Sequence, residues 1–489
     1  MGTAASKTYS KSHAPAASKL AANQYCAISL GSTDMLRLVH APPRTEAMLR
    51  TAIKDFWTPG IQQVDEIHDA WEYQLVGTPW RANGTTTVTS RRLMCAVLEA
   101  MHCAGWVLVT ATDLCRDAMD ASTFIFRRSE ELTGERRRVV ALSTHETDKI
   151  RIVNAPNGGG IVSSVGQAIR MGWPKGVDRE REYGGSYEFK LHGQPWWCNG
   201  EDTVPLRQLA MNLIHAMGEC GYDPLTCADV SKKPRDSDTF FFVARPKGVP
   251  APNRPLVSIS MNSTDLIRLV GSAPRSVWAA IKTAAAHAWP RGIQKESVYA
   301  RVPELKLKGR PWWADGLDAV HSRALVCQIV SEMERCGWTL LLTADLSRKD
   351  SDKSTMIFAQ AANPLPSRGW SSAAAPWCLS FNESDLIRVI RAPAGISRCV
   401  HQAIAESWPK GVARERTYGE SQEFKLHGRP WADQSLMFNT MALAVALLRS
   451  IEALGFMLLG SVDNSAKHTG GEGEHHPIDL HSVSQQRCR

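Results

Sequence analysis

The sequence predicts an α+β fold built four times over. Each unit of about 115 residues has the order ββαβαββ, with a mostly antiparallel sheet and two helices on one face. Three observations predict it. A Gly-x-Pro-Trp turn recurs with its glycine at Gly77, Gly193, Gly309 and Gly428, spaced by 116, 116 and 119 residues. A second glycine, in a Trp-containing segment, keeps the same spacing at Gly60, Gly176, Gly292 and Gly411. The apolar stripe Leu325, Ile329, Val330, Met333 is repeated as Leu93, Val97, Leu98, Met101, as Leu209, Leu213, Ile214, Met217 and as Leu443, Leu447, Leu448, Ile451.

The third unit shows each element most plainly. Val257 to Ser260 and Asp265 to Val270, parted by Asn262-Ser263-Thr264, read as two short strands. After Ala273-Pro274, the positions Val277, Ile281, Ala285 and Ala288 fall on one face of a helix that Trp289-Pro290 ends. The strict alternation Glu304-Leu305-Lys306-Leu307-Lys308 turns the leucines inward and the lysines outward. The Gly309-Arg310-Pro311-Trp312 turn leads into the second helix, and two final strands enclose a polar loop.

Units of this size bury a core alone, so the sequence predicts four separate domains in line: residues 25–128, 137–246, 255–362 and 376–483. A tail follows at 484–489. The intervening stretches are charged or rich in proline, which predicts semi-flexible joints and relative movement of the units. Unit four departs from the others after Asp463, where its last strand survives only in Ile478 to Val483 and its sheet is expected to end on an exposed edge.

A net charge of +8, from 57 basic and 49 acidic residues, excludes a histone-like character. The longest apolar run, Met441 to Leu448, stops at Arg449, too short to span a bilayer. Residues 1–24 hold Lys7, Lys11 and Lys19 with no acid and no apolar period, as in a disordered acylation segment. Met1-Gly2-Thr3-Ala4-Ala5-Ser6-Lys7 fits N-myristoylation at Gly2. One acyl chain holds a protein only marginally, so the three lysines would assist it at an anionic cytosolic membrane face. Cys26 is a conceivable second acylation site.

The outward groups near the Gly-x-Pro-Trp turn suggest an anion- or partner-docking face: Lys190 and His192; Lys306, Lys308 and Arg310; Lys425, His427 and Arg429. Gln74 and Val76 break the pattern in unit one. The paired tryptophans Trp196-Trp197 and Trp312-Trp313 offer a stacking platform, although a structural turn explains the repeated indoles. Asp113, Asp229, Asp345 and Asp463, with Asp120, Asp236 and Asp352, read as turn chemistry. Asp34, Asp148, Asp265 and Asp385, each three residues before an arginine, read as ion-pair partners of that arginine.

No phosphate loop, nucleophile elbow, zinc motif or other catalytic signature occurs, and no cofactor or metal is expected. The expected function is a non-enzymatic, myristoylated membrane adaptor or scaffold, with acidic proteins or lipid headgroups as partners and not nucleic acid. The alternatives are an enzyme acting on a phosphorylated substrate and a single-stranded nucleic-acid-binding protein.

Overall fold

The computed structural model describes residues 24–67, 69–114, 121–129, 134–158, 160–233, 238–347, 353–362, 377–465 and 479–483. The α+β class holds, and each repeat gains one strand over the expected five. In repeat one the strands are Tyr25–Gly31, Met35–Val39, Ile61–Ile67, Ala70–Leu75, Trp106–Thr112 and Thr123–Arg128, with helices Pro43–Phe56 and Thr86–Cys103. All four sheets run in the order third, fourth, second, first, sixth, fifth, and every pairing is antiparallel. The added strand is the third, which forms one edge. Its copies Val177–Tyr183, Ile293–Tyr299 and Val412–Tyr418 are exposed and charged, as an edge that must not recruit another chain requires.

The fourth sheet is also complete. Asp479–Val483 returns to pair with Cys378–Asn382 and with Met457–Val462, so the expected open edge is filled by a sixth strand.

The repeated glycines and tryptophans form the two turns that hold each core. Gly77, Gly193, Gly309 and Gly428 all adopt positive φ, at 78–88°, the conformation that only glycine enters freely. The indole N–H of Trp57, Trp173, Trp289 and Trp408 donates to the carbonyl just before that glycine, on Val76, His192, Lys308 and His427. Trp80, Trp196, Trp312 and Trp431 donate to the second strand, on Met35, Lys149, Leu266 and Leu386. All eight indoles are buried, which makes them structural.

The repeats are not separate beads. The second helix of each packs against the first and second strands of the next, and the helix Met437–Ala453 of repeat four packs on Tyr25–Gly31 and Met35–Val39 of repeat one. The fifth strands Trp106–Thr112, Tyr222–Ala228, Trp338–Ala344 and Met457–Val462 meet in the same cyclic sequence, the fourth touching the first. The chain therefore closes into a ring. Tyr25, Ala27, Val39, Ala70 and Ile125 of repeat one share an apolar core with Trp377, Leu379, Met441 and Leu448 of repeat four. Arg127 pairs with Glu452 at 2.5 Å, and the Thr112 and Ser461 hydroxyls bond at 2.8 Å across the same closure. A contact made four times in a closed cycle relates the repeats by an approximate four-fold axis, so equivalent turns share one rim.

Each second helix thus lies between two sheets and is buried nearly all round. Gly316–Arg335 buries Ala319, Val320, Ser322 to Cys327 and Ile329 to Glu334. The Arg323 guanidinium donates at 2.8 Å to Ser380 Oγ of the next repeat. Glu334 in the same helix has no partner for its Oε2 among the described residues, and burial pushes its carboxyl up from 4.5 to about 7. The folded state then holds a proton that the unfolded chain has lost, so stability should fall as pH rises from about 4.5 to about 7. Glu334→Gln should recover on the order of 3 kcal/mol at pH 8 and almost nothing at pH 4, read as melting temperature against pH.

Candidate functional site

The second strand of each repeat carries an arginine beside a glutamate of the fourth strand: Arg37 with Glu72, Arg151 with Glu188, Arg268 with Glu304 and Arg388 with Glu423. These glutamates, and not the aspartates three residues upstream, are the arginines' partners. The register places each pair directly opposite. In repeats two to four a tyrosine ring stacks on the guanidinium, Tyr183 at 4.3 Å, Tyr299 at 3.7 Å and Tyr418 at 5.1 Å. Arg181 and Arg416 add a second cation to Glu188 and Glu423. Burial raises the Glu188 and Glu423 carboxyls, but the arginines outweigh it and hold both below the usual glutamate range.

The same tyrosines lie over glycines of the preceding repeat. A Cβ on Gly84, Gly200 or Gly316 would stand 3.9, 3.8 or 3.3 Å from the hydroxyl of Tyr183, Tyr299 or Tyr418. These positive-φ glycines keep the 116-residue spacing, a signal readable in the sequence. At the fourth-to-first junction the tyrosine position holds Ile67, and there Arg37 stacks instead on Phe438 of repeat four at 5.2 Å. The constellation is a joint between repeats, with every oxygen of Glu188 and Glu423 occupied by arginine.

The aspartates upstream of the arginines face the predicted docking lysines. Lys190 lies 2.8 Å from Asp178 and 3.9 Å from Asp148, Lys306 lies 3.6 Å from Asp265, and Lys425 lies 3.3 Å from Asp385. The Lys190 hydrogen bond holds the Asp178 carboxyl below its usual range. Two cations of the Trp-Pro turns are paired as well, Lys175 with Asp202 and Arg291 with Asp318. His192, Lys308, Arg310, His427 and Arg429 are exposed, and Lys308 and Arg310 make no ion pair with a described residue. Beside them Trp313 is 43 % exposed and Leu317 is 46 % exposed. Repeat three thus gathers two cations and an indole on one turn, where the Trp313 N–H donates to the Arg310 carbonyl, whereas Leu317 reaches toward Gly419 of repeat four. Trp197 of repeat two is partly buried.

The loop aspartates cap turns and stitch neighbouring repeats together. Oδ1 of Asp229, Asp345 and Asp463 accepts the N–H two residues on, from Ser231, Ser347 and Ser465. Their backbones exchange hydrogen bonds with Ser122, Asp238 and Ser354 of the preceding repeat. Asp120, Asp236 and Asp352 lie outside the described residues, as do Gly2, Lys7, Lys11 and Lys19. Cys26 is fully buried in the first strand, which removes it as an acylation site. Among the described residues no group of histidine, cysteine and carboxylate side chains is placed to hold a metal, and no helix is long and apolar enough to cross a membrane.

One family model matches the chain four times, over residues 24–127, 138–243, 255–359 and 376–478. It describes a repeated domain of unknown function, and the chain belongs to that family. No curated protein matches it.

Proposed function

We propose that this protein is a non-enzymatic peripheral membrane scaffold, myristoylated at Gly2 and resting on an anionic cytosolic leaflet by the rim that carries the Gly-x-Pro-Trp turns. The observation that carries the reading is the exposed turn with Lys308, Arg310 and Trp313, with His192, His427 and Arg429 exposed on the matching turns of the neighbouring repeats. Cations meet headgroups, and an exposed indole suits the boundary between headgroup and acyl chain. A rigid ring aligns these contacts, so weak sites act together. Acidic protein partners would meet the same cations.

The burial of all eight repeated tryptophans weighs against base stacking along the array. Intact mass reads whether Met1 is removed and Gly2 carries the acyl group. For the acylated protein, Lys308→Glu with Arg310→Glu should weaken partition onto phosphatidylserine vesicles by about tenfold or more, at roughly 1 kcal/mol per cation removed and with added repulsion. Unchanged co-sedimentation at low salt would sink the docking face.

A further inference from the structure

A groove of about 380 Å³ lies between the two helices of repeat one, its lining formed by residues such as Ala52, Phe56, Ala100 and Cys103 and shared by Arg44, Thr51, Asp55 and Glu99. That volume lies at the small end of ligand-sized cavities, roughly 300–1,000 Å³. Arg136 closes one side, its guanidinium 5.8 Å from the Phe56 ring centre and 2.9 Å from Glu99. Phe56 sets this groove apart from the same place in repeat two. In repeat two the equivalent residue is Gly172, where an added Cβ would stand 2.8 Å from Leu209 Cα, so those helices touch. The first repeat has the bulkier Phe56 at that place, and its ring lines the groove.

The described chain begins beside this groove. The Gln24 carbonyl accepts from Arg128 N–H at 2.8 Å, and the Arg128 guanidinium donates to the Ala104 carbonyl, next to the groove-lining Cys103. From Gln24 back to Gly2 there are 22 residues, a reach of roughly 70 Å when extended, several times the length of the helix that walls the groove. We infer that this groove seats the chain's own N-terminal myristoyl group, so that membrane attachment is set by release of the acyl chain from repeat one. The inference rests on the acylation of Gly2 proposed above. An apolar tail, an apolar slot of matching class and a tether rooted at the slot's end make the intramolecular state favourable. Partition then depends on the fraction of molecules with the tail free.

The test uses full-length protein acylated with a photo-reactive myristate analogue, its mass measured first. Irradiation should cross-link the acyl group to peptides spanning 43–56 and 96–103. Filling the slot by Ala52→Phe with Ala100→Phe should abolish that cross-link and raise partition onto neutral phosphatidylcholine vesicles about tenfold, as expected for a tail seated nine-tenths of the time. Cross-links confined to other repeats, or partition of the folded acylated variant equal to that of the parent, would overturn the inference and leave Gly2 acylation standing. An unacylated mass would remove both. The cross-link map does not depend on the variant's folding.

Discussion

A chain stopped after Ala361, which lacks the fourth repeat, should lose the cooperative melting of the parent and associate or precipitate. In the ring, Tyr25, Val39 and Ile125 on one side are buried against repeat four, and Val320 and Cys327 of repeat three pack on Cys378 and Ile390. Cutting out repeat four bares both faces at once. At roughly 1.5–3 kcal/mol per large apolar side chain returned to water, the cost is on the order of 10 kcal/mol, comparable to the whole stability of a typical domain. The lost Arg127–Glu452 and Thr112–Ser461 contacts add to it. Calorimetry with exclusion chromatography measures the outcome. Independent beads would leave three repeats melting at the parent temperature, and that result would sink the closed ring.

The sequence carries the repeat, the class and the role of the tryptophans because each depends on local pattern. Gly309 and Pro311 specify a turn by their own torsions, and Leu305 and Leu307 alternate because one sheet face meets the helices. The third strand escapes such reading. Val177-Asp178-Arg179-Glu180-Arg181-Glu182-Tyr183 is charged on both faces, since it is an edge with exposed sides, and it has no period for an apolar pattern to reveal. Ring closure leaves a fainter trace. Val139–His145 is buried at all seven positions, where a sheet covered on one face would alternate. Read as a continuous run, it marks a strand covered on both faces, by its own helices and by the helix of the preceding repeat. Gly84, Gly200 and Gly316 give the same hint, as they leave room for a tyrosine that arrives from the next unit. The docking lysines show the limit of strand-face arguments. Outward direction was legible, whereas Asp148, Asp265 and Asp385 reach them only through the pairing of second and fourth strands.

Glu423→Ala should destabilise the protein by about 3–5 kcal/mol, the usual result of stranding a buried charge. Glu423 Oε2 accepts from Arg388 Nε at 2.9 Å and Oε1 from Arg416 Nε at 2.7 Å, with Arg414 3.3 Å from Oε1. Arg388 is buried in the middle of the sheet, so removing the carboxylate leaves its guanidinium, among the described residues, Asn382 Oδ1 at 3.1 Å and the Tyr418 ring. Glu423→Gln keeps the shape and isolates the charge. The folded carboxyl titrates below its unfolded value near 4.5, so the stability it supplies is complete above that pH and disappears as pH falls through the folded value. The parent and Glu423→Gln should therefore differ most at pH 6 and converge only as the pH falls below 4.5 and through the folded value, followed by urea titration at each pH. The pair Arg388→Met with Glu423→Leu removes both charges and should recover much of the loss. A double variant no more stable than Glu423→Ala would mean that the tyrosine stack over Arg388, and not the ion pair, holds this joint of the ring.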